Sequence, residues 1–101
     1  MIRAAVLMWA LALPGTPYAQ DCRQALALGL DVSGSVDARE YRLQMGGVAT
    51  ALDAPEVREK LLSMQEAPVA LMIYEWSGPN DQVVVVPWTR VETDASIDKV
   101  I

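Results

Sequence analysis

The stretch Ala25-Leu26-Ala27-Leu28-Gly29-Leu30-Asp31-Val32-Ser33-Gly34-Ser35 decides the fold of this chain. Its first six residues form a nearly continuous apolar run, which predicts a strand of a parallel sheet covered on both faces. A carboxylate and two hydroxyls follow at alternate positions, where that strand ends. Hard oxygen ligands of this kind suit a divalent cation such as Mg²⁺. The sequence therefore predicts cation-dependent binding at Asp31, Ser33 and Ser35.

Two helices are predicted directly after this stretch. Asp37 is typical of a helix cap, and Glu40 three positions later completes a variant of the capping box. Gly46 and Gly47 weaken this helix, so we expect close packing against the sheet as their reason. Pro55 is typical of the first turn of a second, short helix over 56–64. The apolar positions with helical spacing in the first helix are Ala38, Tyr41, Met45, Val48, Ala49 and Leu52.

The rest of the chain predicts two strands and the start of a third helix. Apolar runs predict strands over 68–76 and 82–88, and the turn residues between them favour an antiparallel hairpin. Thr93 or Asp94 then caps a helix. This order of elements predicts the opening half of an α/β sheet. Its first strand would keep an open edge with unpaired backbone groups, so we expect a truncated domain.

The first residues have the composition of a secretory signal peptide. Arg3 supplies the positive charge, and residues 4–13 form an apolar run too short to cross a bilayer as a helix. Ala19 offers a small residue at the cleavage site. We expect a signal peptide over 1–19 and a secreted domain over 20–101, periplasmic or extracellular, with no membrane span. A buried N-terminal helix or a membrane anchor is the alternative.

Charge and cysteine usage narrow the possible partners. The net charge of −5 argues against nucleic acid, because phosphate binding needs clustered Lys and Arg. Cys22 is the one cysteine and cannot pair within the chain. A lipoprotein signal takes Gly or Ala before its cysteine, whereas Asp21 stands here. We therefore expect a missing downstream partner for Cys22.

Hydrolase chemistry fits this motif poorly. A phosphatase nucleophile at Asp31 would be accompanied by a second aspartate at the position of Ser33. A serine nucleophile at Ser33 would be flanked by glycines at the positions of Asp31 and Ser35. The sequence contains no histidine to act as a base or to join a zinc site. We therefore predict a protein that is not an enzyme.

The motif and its neighbours resemble a known family. Asp31 to Ser35 match the D-x-S-x-S motif of von Willebrand factor A domains, part of their metal-ion-dependent adhesion site. With further blocks, residues 22–101 look like a bacterial family of secreted, von Willebrand factor A-like proteins with no assigned function. The blocks that carry this likeness are Leu30 to Asp37, Gln44, Glu75-Trp76-Ser77-Gly78 and Pro87-Trp88-Thr89.

The resemblance implies a fold and a mode of binding. It implies a Rossmann-like, mostly parallel sheet with one antiparallel edge strand over 82–88, and Mg²⁺ at the carboxyl end of the first strand. Ser33 and Ser35 would touch the metal directly, and Asp31 would act through water. The open metal position would accept an acidic group of a protein partner.

The chain departs from that family pattern. The adhesion site also takes a threonine from a second loop and an aspartate from a third, and we expect both beyond residue 101. Thr89, Thr93, Asp94 and Asp98 do not occupy those loops. We therefore predict weak Mg²⁺ binding, and a submicromolar affinity would contradict this. The alternatives are a truncated remnant with no binding activity or a small hydrolase.

The adjacent residues Glu75 and Trp76, one acidic and one aromatic, form a second candidate site. If their strand runs parallel to the first, Glu75 and Trp76 lie near the metal loop and could contact a partner. The alternative is structural: Trp76 packs under a helix and Glu75 pairs locally. Trp88 and Tyr41 are predicted to belong to the core.

Overall fold

The computed structural model describes residues 22–101, and the predicted signal peptide over 1–19 lies outside them. Within that part of the chain, no helix is long and apolar enough to cross a membrane. In chain order the elements are β1 (Gln24–Asp31), α1 (Ala38–Asp53), α2 (Pro55–Leu62), β2 (Val69–Gly78), β3 (Asp81–Val91) and α3 (Asp94–Asp98).

The three strands form one mixed sheet in the order β1-β2-β3. β1 pairs with β2 in parallel, and β3 pairs with β2 antiparallel. This confirms a small α/β fold with an antiparallel strand. The predicted strands leave residues 77–81 as the loop of the hairpin. The observed loop is shorter, because Ser77, Gly78 and Asp81 belong to the strands and only Pro79 and Asn80 connect them. β3 also extends beyond the predicted residue 88 to Val91. Two shifts of register accommodate residues of β3 that have no partner in β2.

The core lies on one face of the sheet. Alternate residues of β2 are buried there against apolar side chains of all three helices. The prediction that β1 is covered on both faces is wrong, because Ala25, Ala27 and Gly29 on its other face are exposed. Packing against the next strand explains the glycine at position 29, since a Cβ there would lie 2.5 Å from the Tyr74 hydroxyl. The buried core residues are Leu30, Leu52, Leu61, Val69, Leu71, Ile73, Val91 and Ile97.

Helix α1 begins as predicted but stands off the sheet along its middle. The capping box between Asp37 and Glu40 is present in both directions. The expectation that Gly46 and Gly47 pack closely is wrong, because a Cβ at either position would meet nothing within 4 Å. Between this part of α1 and the sheet lies an open apolar pocket of about 320 Å³, lined in part by Met45 and Gly46.

Arginine side chains hold the helices together. The guanidinium of Arg58 pairs with Asp53 at 2.7 Å, Asp94 at 3.0 Å and Asp98 at 2.5 Å, which joins all three helices. Arg23, just before β1, donates to carbonyl oxygens at the end of α2 and in the segment that follows it. A cation at that position satisfies carbonyls that have no partner within the helix.

Candidate cation site at the end of the first strand

Residues 32–37 form the β1–α1 loop at the carboxyl edge of the sheet. The parallel register sets Asp31 beside Trp76, and the N–H of Val32 donates to the Trp76 carbonyl at 2.8 Å. At the other end, Asp37 caps α1. The loop is therefore fixed between the end of one strand and the start of a helix, and its polar side chains lie at that edge.

The structure brings the three predicted ligand residues together. A carboxylate oxygen of Asp31 accepts a hydrogen bond from the Ser33 N–H at 2.8 Å. The hydroxyl oxygens of Ser33 and Ser35 lie 3.5 Å apart. The N–H of Val36 donates to the Ser33 carbonyl at 2.8 Å and closes a tight turn around Gly34. One carboxylate and two hydroxyls thus share one small region.

The carboxylate of Asp31 is the charged member of this group. The nearby hydroxyl of Ser33, and then the hydrogen bond from its backbone N–H, lower the pKa of Asp31 below its usual value, and desolvation opposes them. Asp31 is therefore ionised at neutral pH. Within residues 22–101 it forms no ion pair with an arginine or lysine.

Gly34 has no visible conformational reason in this turn. Its φ is not positive, and a Cβ there would meet nothing within 4 Å. Neither a left-handed backbone nor a close contact therefore requires a glycine at position 34.

The donor set fits a hard cation held weakly. Mg²⁺ binds oxygen at about 2.1 Å in octahedral geometry, so neighbouring ligands lie roughly 3 Å apart. The hydroxyl oxygens of Ser33 and Ser35, at 3.5 Å, need only a small adjustment to reach this spacing. The described residues contain no group of three or more His, Cys, Asp or Glu that could hold a metal. The ligands of a cation at this site would therefore be hydroxyls, one carboxylate and water.

A second polar contact lies at the same edge of the sheet. The Tyr41 hydroxyl in the first turns of α1 donates to the carboxylate of Glu75, which neighbours Leu30 in the sheet. This bond is the main cause of a raised pKa for Tyr41. The local pairing considered for Glu75 is therefore observed. Tyr41 is 37% exposed, so its predicted place in the core is wrong.

Both tryptophans are more exposed than a structural role in the core would allow. Trp76 is 39% exposed, which contradicts packing under a helix, and Trp88 is 52% exposed, which contradicts a place in the core. Both belong to strands whose helix-facing neighbours fill the core instead.

The remaining hydroxyl and carboxylate candidates have other partners. Thr93 caps α3, while Asp94 and Asp98 pair with Arg58. The hydroxyl of Thr89 donates to the Pro87 carbonyl at 2.8 Å.

Tyr41 was predicted to lie in the core, but it contributes a hydroxyl to this edge of the sheet instead. Its position four residues after the Asp37 cap was an available signal, because helical side chains lean back toward the N-terminus.

These features define an α/β protein with an oxygen-rich loop after its first strand. Comparison with protein families matches residues 21–101 to the family described as "Protein of unknown function (DUF1194)". The chain therefore belongs to the DUF1194 family. No curated protein and no solved structure matches the chain.

Proposed function

We propose that this chain is a secreted, non-enzymatic binding module that holds an acidic group of a protein partner through Mg²⁺. One observation carries the proposal: an ionised carboxylate and two hydroxyls converge at the carboxyl end of β1, and within residues 22–101 no basic side chain pairs with that carboxylate. An external cation is the natural counter-charge for such a group.

Each ligand residue has a distinct role in this proposal. The hydroxyls of Ser33 and Ser35 bind the cation directly, and the carboxylate of Asp31 binds it through water. Water fills the other positions, as Mg²⁺ usually retains several waters. One of these waters exchanges for a carboxylate of the partner.

We further propose that the sheet is the Rossmann-like sheet of a von Willebrand factor A domain. The parallel β1–β2 pair, joined by helices and flanked by the antiparallel β3, supports this assignment. In open α/β sheets, ligands bind beyond the carboxyl ends of the strands, which is where the β1–α1 loop lies.

The charge of the protein supports a bridging cation. With a net charge of −5, the chain repels an acidic partner unless a cation lies between them. Removal of the cation by a chelator should therefore abolish binding rather than merely weaken it.

In this proposal Trp76 supplies the main contact surface beside the cation, and its neighbour Glu75, held by Tyr41, lies at the rim of that surface. Trp76 presents an exposed aromatic side chain directly beside Asp31 in the sheet. Partly exposed tryptophans of this kind contribute strongly when a partner covers them.

A Mg²⁺ titration of the full chain, followed by amide chemical shifts in ¹H–¹⁵N NMR spectra, tests the site. We expect saturable shifts centred on residues 32–36, reversed by EDTA, with a dissociation constant weaker than micromolar. Asp31→Ala should remove them. Glu66→Ala is the control, because that exposed carboxylate precedes β2 at the opposite, amino-terminal edge of the sheet and forms no ion pair in the described residues. Equal shifts in Asp31→Ala and wild type would refute the site.

A second arm tests the open metal position with acetate as the probe. Acetate should cause additional shifts in residues 32–36 when Mg²⁺ is present and none after EDTA is added. Acetate shifts that persist with EDTA would refute the bridging role of the cation.

A further inference from the structure

We propose that Tyr41 and Glu75 are positioning residues for the Mg²⁺ site. Their hydrogen bond sets the distance between the two ends of the β1–α1 loop, and so between its ligand oxygens. This inference rests on the proposed function. Neither side chain needs to touch the cation.

Both ends of the loop are attached to consecutive residues of β2. At the start of the loop, the Val32 N–H donates to the Trp76 carbonyl at 2.8 Å. After its end, the Tyr41 hydroxyl on α1 donates to the carboxylate of Glu75. The loop therefore spans a gap whose two sides are both held by the end of β2.

The helix side of this gap has little other support from the sheet. The open pocket of about 320 Å³ separates the middle of α1 from the strands, and Gly46 leaves that space unfilled. Among the described residues, Tyr41 to Glu75 is the one side-chain hydrogen bond between α1 and the sheet. In the first two turns of α1, Met45 is the one apolar side chain packed against the core, so the position of this end of the helix depends strongly on the Tyr41–Glu75 bond.

The residues that supply the oxygens come from the two ends of the loop. Asp31 ends β1, whereas Ser35 lies two residues before the Asp37 cap of α1. The hydroxyls of Ser33 and Ser35, now 3.5 Å apart, must approach slightly to bind one cation. Loss of the bond would let the helix side drift and would raise the cost of assembling the ligands.

Magnesium titrations of matched variants test this role. Tyr41→Phe removes only the donor, and we expect its Mg²⁺ affinity to fall about three- to tenfold, the range that one hydrogen bond controls. Tyr74→Phe is the control, because this tyrosine of β2 lies against Gly29 on the other face of the sheet. Its affinity should match wild type within about twofold, on the ordinary scale of independent sites.

Two changes at the acceptor separate positioning from stability. Glu75→Gln keeps an acceptor oxygen for Tyr41, so it should bind Mg²⁺ more tightly than Glu75→Leu, which has none. A purely structural role would lower the thermal midpoints of both without this difference in affinity. Because this comparison does not use Tyr41→Phe, it decides the question even if that variant fails to fold.

The outcomes distinguish this inference from the proposed function. If wild type binds no Mg²⁺, the proposed function fails and this inference fails with it. If wild type binds and Asp31→Ala does not, the site stands. In that case, equal affinities for wild type, Tyr41→Phe and Glu75→Leu would overturn the positioning role alone.

Discussion

Two oxygen-rich regions of this small protein are built in opposite ways. In the Arg58 cluster, three carboxylates of Asp53, Asp94 and Asp98 surround one guanidinium, and the protein itself supplies the cation. In the β1–α1 loop, one carboxylate and two hydroxyls converge, and no basic side chain of the described residues pairs with them.

The difference separates a structural use of charge at Arg58 from the binding use that we propose for the loop. The Arg58 side chain is only 18% exposed and links three helices, so its charge is committed to the fold. The three aspartates, in turn, raise the pKa of Arg58 and keep it protonated. The loop instead holds its oxygens with backbone hydrogen bonds, which leaves the carboxylate of Asp31 available to a cation from solution.

The largest effect is expected from breaking the Arg58 cluster. Arg58→Ala leaves three neighbouring carboxylates without a counter-charge, so they repel one another. We expect the thermal midpoint to fall by roughly 10 °C, whereas a loss of about 1 kcal/mol would lower it by roughly 4–8 °C in a domain of this size. The thermal midpoint of Arg58→Lys should fall less, because lysine keeps the positive charge but lacks the planar guanidinium that reaches several carboxylates. Thermal unfolding followed by circular dichroism measures this.

Arg39→Ala provides the matched control for that experiment. Arg39 is exposed on α1 and forms no ion pair within residues 22–101. Its midpoint should stay near that of wild type. Equal losses in Arg39→Ala and Arg58→Ala would show that the cluster contributes nothing beyond net charge.

A smaller effect, of opposite sign, is expected on α1 between the two regions. Gly46→Ala and Gly47→Ala should each stabilise the protein by about 1 kcal/mol, because alanine favours the helix and a Cβ meets nothing there. Urea unfolding of the single and double variants measures this. Destabilisation by either alanine would mean that α1 packs more closely than the open pocket indicates.

The smallest effect is expected from the titration of Asp31. Its pKa is lowered in the folded protein, so its contribution to stability is complete above about 3.8 and is lost as the pH falls through the lower, folded value. Ser33→Ala removes the hydroxyl that is the main cause and should raise the pKa of Asp31. Carboxyl ¹³C shifts recorded against pH would show this. An unchanged pKa in Ser33→Ala would contradict the arrangement of the loop.

The same comparison shows what sequence could predict. The strand, the helix start and the clustering of Asp31, Ser33 and Ser35 follow from local patterns: an apolar run, oxygen side chains at alternate positions and a capping box. The Arg58 cluster was not predicted, because its four residues come from three helices and meet only in the folded chain. Charge alone did not distinguish Asp94 and Asp98 from other surface carboxylates.

Failures of prediction arose where tertiary packing overrides local pattern. Tyr41 has the helical spacing of a core residue, yet the helix stands off the sheet and its hydroxyl reaches Glu75 instead. The apolar run of β1 predicted burial on both faces, but the core helices lie on one. The spacing of apolar residues indicates a face, whereas coverage of that face depends on elements elsewhere in the chain.

The most direct test of the cation site is anomalous diffraction from crystals of the full chain soaked in MnCl₂. Mn²⁺ takes the same oxygen ligands as Mg²⁺ and scatters anomalously. We expect a peak at about 2.2 Å from the hydroxyl oxygens of Ser33 and Ser35, close to Asp31, on the metal–oxygen scale of such sites. A peak confined to the aspartates of the Arg58 cluster, or no peak at the loop, would contradict the proposed site.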